Sequence, residues 1–316
     1  MSKSKINRRC FLAAAAASQL ALVRTQASAE TDKPTMGFGF GTYGMQSLTT
    51  GDAMRQCAEI GYDGIELALM KGWPTEPTLL SQRDRVEMRG WLSDFQLKVP
   101  SLLESLPCLR TPEKHRENIE KLKRAAELAH DLAPTKPPLV PSIVGGSTAR
   151  WEELKGQLVE QLAEWAKVGE ASKTVICFKP HASHIVNTPP RALWLHQQVG
   201  SDWLKIVYDY SHFSLEGLAL TTSLKQLLPI TSYVQVKDSR GTPKKHEYLL
   251  PGDGRTDYVE LLTVLKQARY DGFVNVEVSS MIHRRPGYQP IPTAKLCYER
   301  LAPLFDKVGI QRPSHR

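Results

Sequence analysis

Eight short apolar runs, each followed by a longer helical pattern, are the feature that most restricts how this chain can fold. The runs are rich in β-branched and aromatic residues and begin about 30 to 40 residues apart, which is typical of strands joined by crossover helices. Such strand-then-helix units form parallel sheets, and eight units close a barrel. We therefore predict a single-domain α/β fold, a (β/α)8 barrel. The runs are MGFGF from residue 36, GIELAL from 64, LKVPSLL from 97, PLVPSIV from 138, TVICF from 174, LKIVYD from 204, SYVQVKD from 232 and FVNVEVS from 273.

Residues with capping chemistry stand where the helices between these runs should begin. Thr50 or Asp52 opens AMRQCAEI, Thr111 precedes Pro112, and Asp257 precedes YVELLTVLKQA. Side chains of Thr and Asp accept hydrogen bonds from the first free amides of a helix, and proline suits the first helical position. The caps support helical crossovers between the strands.

The first 29 residues have the pattern of a cleaved secretion signal. Arg8 and Arg9 precede an alanine-rich apolar stretch, and residues 27–29 read ASA, an A-x-A cleavage pattern. Paired arginines indicate the twin-arginine type. The apolar stretch is too short for a mature membrane-spanning helix, although an uncleaved chain would stay tethered through it. We expect residues 30–316 to form the barrel and to be exported to the periplasm or the extracellular space, without stable membrane insertion.

The composition after the signal argues against two classes of protein. The chain carries 41 basic and 33 acidic residues, and the signal accounts for five of the basic ones, so the mature net charge is only +3. Without a concentrated basic arm, nothing calls for a nucleic-acid partner. The remaining cysteines form no C-x-x-C pair, so we predict buried thiols rather than a disulfide scaffold. They are Cys57, Cys108, Cys177 and Cys297.

One glycine motif could be mistaken for a dinucleotide-binding turn. Residues 39–44 read GFGTYG, a G-x-G-x-x-G pattern, and Glu66 follows about 20 residues later. A dinucleotide fold needs its helix to begin within the glycine turn, so that the helix N-terminus meets the pyrophosphate. Here the helical pattern starts only near Thr50. We therefore interpret the motif as a glycine-rich first strand and loop at a crowded barrel mouth.

Polar side chains gather at the carboxyl ends of the predicted strands, where barrel enzymes carry their chemistry. The segment TVICFKPHASH, residues 174–184, ends a buried run in Lys179, His181 and His184. Alternate strand residues point into a barrel, so about half of such side chains face the site. The other runs contribute Glu66, Trp73, Glu104, Asp209, His212, Gln235, Lys237, Asp238, Arg240 and Glu277.

Several of these segments resemble the xylose isomerase-like TIM barrels of sugar phosphate isomerases and epimerases. GYDGIEL at 61–67 is similar to that family's second strand, and VYDYSH, YVQVKDSRG, LPGDGRTDY and RYDGFVNVEVS resemble its last three strands in order and spacing. The resemblance covers most of the chain after the signal. It implies a (β/α)8 TIM barrel with a small-molecule sugar substrate. The substrate itself stays open, because the family includes isomerases, epimerases, dehydratases, lyases and a DNA-repair branch.

The resemblance also implies a divalent metal, held by Glu, Asp, His and Glu at the ends of strands five to eight. The corresponding residues here are Lys179, Asp209, Gln235 and Glu277, so two of the four positions depart from the pattern. A lysine ammonium has no lone pair for a metal, and a glutamine amide is a weak donor. Asp209 and Glu277 alone leave two alternatives open: no metal, or a weakly bound Mn²⁺ or Mg²⁺.

A charge argument suggests what replaces the metal. The family's three carboxylates and one divalent cation sum to −1, and so do Asp209, Glu277 and Lys179. We therefore hypothesise that the Lys179 ammonium occupies the place of the metal, paired to both carboxylates. An ammonium there stabilises an enolate oxygen or donates a proton. Glu277 is then the predicted proton acceptor, and His212 a second acid or a contact to a substrate hydroxyl.

The predicted function is proton transfer next to the carbonyl of a sugar or sugar derivative, as in an isomerase or epimerase. The predicted substrate-binding residues are His181, Arg240, Glu66 and Trp73, whose indole could stack on a sugar face. Two alternatives remain open: a carbohydrate-binding barrel without catalysis, and a sugar lyase or dehydratase of the same fold. A DNA-repair nuclease would need a multi-metal cluster, for which the chain offers too few ligands. The sequence does not fix the oligomeric state.

Overall fold

The computed structural model describes residues 35–313, so the predicted signal at 1–29 lies outside the described residues. The strands are β1 (Gly37–Gly41), β2 (Gly64–Ala68), β3 (Leu102–Leu103), β4 (Val140–Ile143), β5 (Ile176–Lys179), β6 (Leu204–Tyr208), β7 (Thr231–Val236), β8 (Asp238–Thr242), β9 (Lys245–Leu249) and β10 (Phe273–Val276). The α-helices are α1 (Thr50–Ile60), α2 (Gln82–Asp94), α3 (Pro112–Leu132), α4 (Trp151–Ser172), α5 (Pro189–Val199), α6 (Tyr210–Leu215), α7 (Leu220–Leu227), α8 (Tyr258–Gln267), α9 (Ser280–His283) and α10 (Pro290–Val308).

Eight of these strands form one parallel sheet in the order β3-β2-β1-β10-β7-β6-β5-β4. Parallel bridges from Ser101 to Leu139 and from Glu104 to Ser142 join β3 to β4, which brings the two ends of the sheet together as a barrel. Each predicted apolar run supplies one barrel strand, with helices between them, so the (β/α)8 TIM barrel is confirmed. The remaining strands, β8 and β9, pair antiparallel as a hairpin after β7. The sequence analysis did not predict this hairpin.

The first strand is built from glycines because its inward face meets polar side chains at very short range. A Cβ atom on Gly39 would lie 2.6 Å from Oδ1 of Asn275, and one on Gly41 would lie 3.0 Å from Oε1 of Glu66. The chain then turns through a 3₁₀ helix at Thr42–Met45, and α1 starts five residues after it. The GFGTYG motif is therefore the crowded first strand and loop of a barrel, as predicted.

The helix starts follow the capping chemistry of the sequence. The side chain of Thr49 caps α1 by accepting a hydrogen bond from the amide of Asp52, one residue before the predicted Thr50. Thr111 caps α3, and Asp257 caps α8, both as predicted. Local side-chain chemistry thus sets where these crossover helices begin.

The main hydrophobic core lies between the barrel and its helices. Outward-facing strand residues such as Phe38, Ile206 and Val234 are fully buried in it. The four cysteines predicted as buried thiols are all buried and free. No helix within residues 35–313 combines the length and apolar character needed to cross a membrane.

Candidate functional site

Strand alternation fills the interior of the barrel with two kinds of side chain. Cys177, Val207 and Tyr233 form a small apolar cluster of their own, separate from the main core. Because side chains alternate along a strand, the inward positions two and four residues further on belong to the carboxyl-terminal mouth. Those positions carry polar groups instead of the branched apolar residues that usually fill a barrel. The polar inward residues are Glu66, Lys179, Asp209, Gln235, Lys237, Asn275 and Glu277.

Lys179 lies at the centre of this polar layer. Its ammonium nitrogen is 2.9 Å from Oδ2 of Asp209 and 2.5 Å from Oε2 of Glu277. It also donates a hydrogen bond of 2.6 Å to Oε1 of Gln235. The predicted pairing of Lys179 with both carboxylates is therefore present in the structure. The three acceptors are the residues at the other three metal-ligand positions named above.

A second ammonium, that of Lys237, joins the same two carboxylates. It is 2.7 Å from Oε2 of Glu277, and it forms a short ion pair with Oδ2 of Asp209. The sequence analysis placed Lys237 at a strand end but gave it no role. Alternation could have found it, because Lys237 follows the inward residues Tyr233 and Gln235 at intervals of two.

The charges of this cluster stabilise one another. Burial opposes ionisation of Asp209, yet the ammonium groups of Lys179 and Lys237 outweigh it and hold the pKa of that carboxyl below its ordinary value. The same balance holds the pKa of Glu277 well below its ordinary value. Burial also disfavours the charge of Lys237, but Asp209 and Glu277 raise the pKa of its ammonium. Near neutral pH the cluster therefore contains two ammonium groups and two carboxylates.

Glu277 is the member of the cluster that reaches furthest toward solvent. Its side chain is 14% exposed, whereas that of Asp209 is fully buried. Both ammonium groups contact the same oxygen of Glu277, Oε2. Within the described part of the chain, Oε1 accepts no hydrogen bond. A carboxylate oxygen with open lone pairs thus lies at the edge of the cluster.

His212 connects the cluster to the β8–β9 hairpin. Its Nε2 is 3.4 Å from the ammonium of Lys237, and its Nδ1 is 2.8 Å from the hydroxyl of Tyr248 on β9. Burial holds the pKa of His212 well below its ordinary value, so the ring is neutral. The ammonium of Lys237 also lies 5.0 Å from the ring centroid of Tyr248. The sequence gave no sign of Tyr248 because the hairpin itself was not predicted.

His181 packs on both of its neighbouring imidazoles. Its ring centroid is 3.8 Å from that of His212 and 4.1 Å from that of His184. Burial lowers the pKa of His181 to about 3, and the ring Nδ1 bonds the carbonyl of Ala182 at 2.9 Å. The predicted substrate-binding residue His181 therefore lies beside the cluster as a neutral ring.

Glu66 lies one step away from the two lysines, behind Gln235. The amide of Gln235 donates to both carboxylate oxygens of Glu66, at 2.9 and 3.0 Å, and Ser101 donates to Oε2 at 2.5 Å. Burial raises the pKa of Glu66 to about 7. Gln235 thus links Glu66 to Lys179 through one amide group.

The structure places the other two predicted substrate contacts apart from the lysines. The indole of Trp73 is 7% exposed and stacks on Tyr43, with ring centroids 5.2 Å apart, so one face is already covered. Its buried Nε1 has no hydrogen-bond partner among residues 35–313. Arg240 lies on the exposed hairpin, where its guanidinium pairs with Glu247 at 2.5 Å. Substrate binding by Trp73 and Arg240 stays a prediction.

The donor set does not fit the divalent metal that the resemblance implies. Lys179 stands where a carboxylate ligand would be, and the oxygens of Asp209, Gln235 and Glu277 all converge on its ammonium. An ammonium has no lone pair to offer a cation, and a second ammonium shares the same carboxylates. Among the described residues, no group of three or more His, Cys, Asp or Glu side chains is arranged to hold a metal ion.

Comparison with known proteins agrees with this architecture. A family model described as xylose isomerase-like TIM barrel matches residues 54–294. An inosose isomerase from Halalkalibacterium halodurans is 24% identical over 233 residues, covering 71% of this chain and 81% of the relative. A fructoselysine 3-epimerase from Escherichia coli O157:H7 is 22% identical over 264 residues, covering 79% of this chain and 93% of the relative. These relatives are isomerases and epimerases of sugars and sugar derivatives.

Solved structures share the fold as well. The crystal structure of the IolI protein with a bound zinc atom superposes with a TM-score of 0.71 at 18 to 25% identity's midpoint value of 22%, covering 85% of this chain and 99% of that one. A relative of the same fold thus carries a metal, whereas the corresponding centre here is built around two ammonium groups.

Proposed function

The chain belongs to the xylose isomerase-like TIM barrel family, and on this premise we propose that it moves a proton next to the carbonyl of a small sugar or sugar derivative. The reaction is an isomerisation or epimerisation, and it proceeds without a resident divalent metal. The relatives supply the reaction class, since they include an inosose isomerase and a fructoselysine 3-epimerase. The cluster of this chain supplies the metal-free part of the proposal.

One observation carries the proposal: the ammonium of Lys179 is surrounded by Asp209, Gln235 and Glu277. Removal of a proton next to a carbonyl places negative charge on the carbonyl oxygen. Fixed positive charge in a site shielded from water stabilises that enolate strongly. Two ammonium groups provide the same total charge as one divalent cation, and Lys237 supplies the second.

Glu277 is the proposed proton acceptor. It is the most exposed carboxylate of the cluster, and its Oε1 accepts no hydrogen bond from residues 35–313. A base must come within hydrogen-bond reach of the proton that it removes, and this oxygen is the one that a substrate at the mouth would meet. His181 and His212, both neutral, are suited to accept or donate hydrogen bonds with substrate hydroxyls.

A carbohydrate-binding barrel without catalysis is a second candidate, and one observation favours it. The paired lysines hold the pKa of Glu277 well below its ordinary value, which makes its carboxylate a weak base. Binding of a sugar without turnover would follow if the enolate were not stabilised enough to offset that weakness.

Proton exchange with solvent separates the two candidates. The chelator-treated protein is incubated in D₂O with scyllo-inosose, D-fructose or D-tagatose, and deuterium next to the carbonyl is followed by NMR. Exchange above the protein-free rate is expected for at least one compound, with loss in Glu277→Gln and retention in the surface variant Glu120→Gln. Binding without exchange establishes the second candidate. Exchange that appears only after Mn²⁺ or Mg²⁺ is added overturns the metal-free part of the proposal.

Export through the twin-arginine route is a further part of the proposed function. It is supported by Arg8, Arg9 and the cleavage pattern at residues 27–29. Cell fractionation should find the shortened chain outside the cytoplasm. Replacing both arginines by lysine should leave the full-length chain in the cytoplasm, and unchanged export would contradict the assignment.

A further inference from the structure

The two lysines differ in how their hydrogen-bond donors are used. An ammonium group has three N–H donors and no acceptor. The three donors of Lys179 meet three acceptors, on Asp209, Gln235 and Glu277, at 2.9, 2.6 and 2.5 Å. Every N–H of Lys179 is therefore engaged at short distance with an oxygen of the protein. A substrate oxygen could reach this ammonium only by displacing one of these contacts.

Lys237 has two strong contacts and one weak one. Two of its donors meet Oδ2 of Asp209 and Oε2 of Glu277 at short distance. The third faces Nε2 of His212 at 3.4 Å, beyond the usual range of a hydrogen bond between nitrogen and its acceptor. Both lysines are 3% exposed, so burial does not distinguish them. The strength of the third contact does.

We infer that Lys237, through the N–H that faces His212, binds the reacting carbonyl oxygen, whereas Lys179 is the fixed cation that holds the two carboxylates in place. This inference rests on the proposed function and deepens it. A carbonyl oxygen gives up little when it displaces a contact of 3.4 Å, but it would have to break a short charged hydrogen bond to reach Lys179. Lys237 is thus a catalytic residue that the sequence analysis left without a role.

Displacing this contact also prepares His212 for a substrate. Nε2 must act as an acceptor toward the ammonium, so the ring proton is assigned to Nδ1, which donates to the hydroxyl of Tyr248. Nε2 is also 3.5 Å from Oδ2 of Asp209, but that oxygen already accepts from both ammonium groups. When a carbonyl takes the N–H of Lys237, the lone pair of Nε2 becomes available to a hydroxyl on the neighbouring carbon.

The chemical step balances with these groups alone. The C–H bond next to the carbonyl breaks, and its proton passes to Oε1 of Glu277. The electron pair of that bond forms a carbon–carbon double bond, while the carbonyl π pair moves onto the oxygen held by Lys237. Return of the proton to carbon completes the isomerisation or epimerisation and restores the carboxylate.

A comparison of a ketone with its alcohol tests the assignment. The affinities of scyllo-inosose and myo-inositol, which differ in one carbonyl, are measured by calorimetry for the wild type, Lys237→Gln and Lys179→Gln. The wild type should bind the ketone about tenfold or more tightly, as expected for a hydrogen bond from a charged donor. Lys237→Gln should remove that preference. Lys179→Gln should weaken both ligands while the preference remains.

The outcomes separate this inference from the proposed function. A preference that survives in Lys237→Gln overturns the role of Lys237, whatever the result of the deuterium exchange. A preference that depends on Lys237, in a protein that catalyses no exchange, supports the role of Lys237 and rejects the proposed catalysis. A wild type without any preference for the ketone overturns the inference even where exchange is observed with another sugar.

A measurement on the wild type covers the case in which a lysine variant does not fold. Lysine labelled with ¹⁵N at Nζ gives separate signals for buried ammonium groups. Addition of scyllo-inosose should shift the signal of Lys237 and leave that of Lys179 in place. Selective protection of the two amines from chemical labelling assigns the signals without substitution. A shift confined to Lys179 overturns the inference.

Discussion

The ion pairs at the barrel mouth and those on helix α3 use the same chemical groups in opposite surroundings. On α3, Lys123 pairs with Glu120 at 2.7 Å, and both side chains are 56% exposed. At the mouth, Lys179 pairs with Asp209 at 2.9 Å, and the two side chains are 3% and 0% exposed. The distances are similar, so distance alone does not tell a reader which pair matters. Burial does, because water screens the first pair and not the second.

The cost of burying charge explains why the two pairs have different meanings. Taking an ammonium and a carboxylate out of water costs more than their attraction commonly returns, and apolar residues of similar volume often serve stability as well. Barrel interiors are usually filled by branched apolar side chains. Two lysines and two carboxylates in that place are therefore better explained by the chemistry that they perform than by the stability that they give.

Removing one carboxylate from the mouth should have the largest effect on stability. Asp209→Asn keeps the shape of the side chain but leaves Lys179 and Lys237 with Glu277 as their one charged partner. Breaking a buried ion pair in this way costs about 3–5 kcal/mol. Urea unfolding at neutral pH should show this loss in the free energy of unfolding. A loss no greater than that of a surface variant would mean that water or a relaxed side chain compensates, and the contrast between the two regions would fail.

The pH dependence of stability sharpens the same contrast within the mouth. The folded-state pKa values of Asp209 and Glu277 are lowered, so the stability that they contribute is present above about pH 4 and is lost as the pH falls below it. Glu66 has the opposite sign, because burial raises its pKa to about 7. Its folded state favours the proton, so stability should fall as the pH rises from about 4.5 to 7.

Glu66→Gln should therefore remove one limb of the stability profile. The wild type should lose up to about 3 kcal/mol relative to this variant between pH 5 and pH 8, from 1.4 kcal/mol per pKa unit. Urea unfolding of both proteins across that range measures the difference. A difference that does not change with pH would show that Glu66 stays ionised throughout, in spite of its burial.

The sequence could predict the barrel because each strand announces itself locally. Apolar runs with period two, bounded by capping residues such as Thr111 and Asp257, depend on neighbours within a few residues. The pairing of Lys179 with Asp209 and Glu277 was also predictable, once the strand order placed their carboxyl ends together. These features need only strand alternation and the order of strands around a barrel.

The rest of the site depends on contacts that local patterns do not encode. Lys237 received no role because a strand-end lysine is usually solvated, and only the closed barrel brings it to the same carboxylates. Tyr248 lies on a hairpin formed by exposed polar residues, without the apolar alternation that marks a half-buried strand. Arg240 was predicted at the mouth because β7 was expected to continue to it, but β7 ends at Val236 and Arg240 belongs to the hairpin.

A smaller effect is expected where the mouth meets this hairpin. Tyr248→Phe removes the hydroxyl that Nδ1 of His212 contacts at 2.8 Å. The loss of one buried hydrogen bond costs about 1 kcal/mol, well below the cost of removing Asp209. The ¹⁵N shifts of His212 give a more specific readout: the wild type should show the proton on Nδ1, and the variant a mixture of both tautomers. An unchanged tautomer would show that Lys237 alone fixes the ring.

The smallest effect is expected on the surface of α3, where Glu120→Gln removes the partner of Lys123. Such pairs gain little because water already solvates both charges and two long side chains must be ordered to form them. The urea midpoint should be indistinguishable from that of the wild type at physiological salt. A measurable loss at low salt that disappears at high salt would still fit a screened pair. A loss comparable to that of Asp209→Asn at any salt concentration would mean that exposure does not govern the worth of an ion pair in this protein.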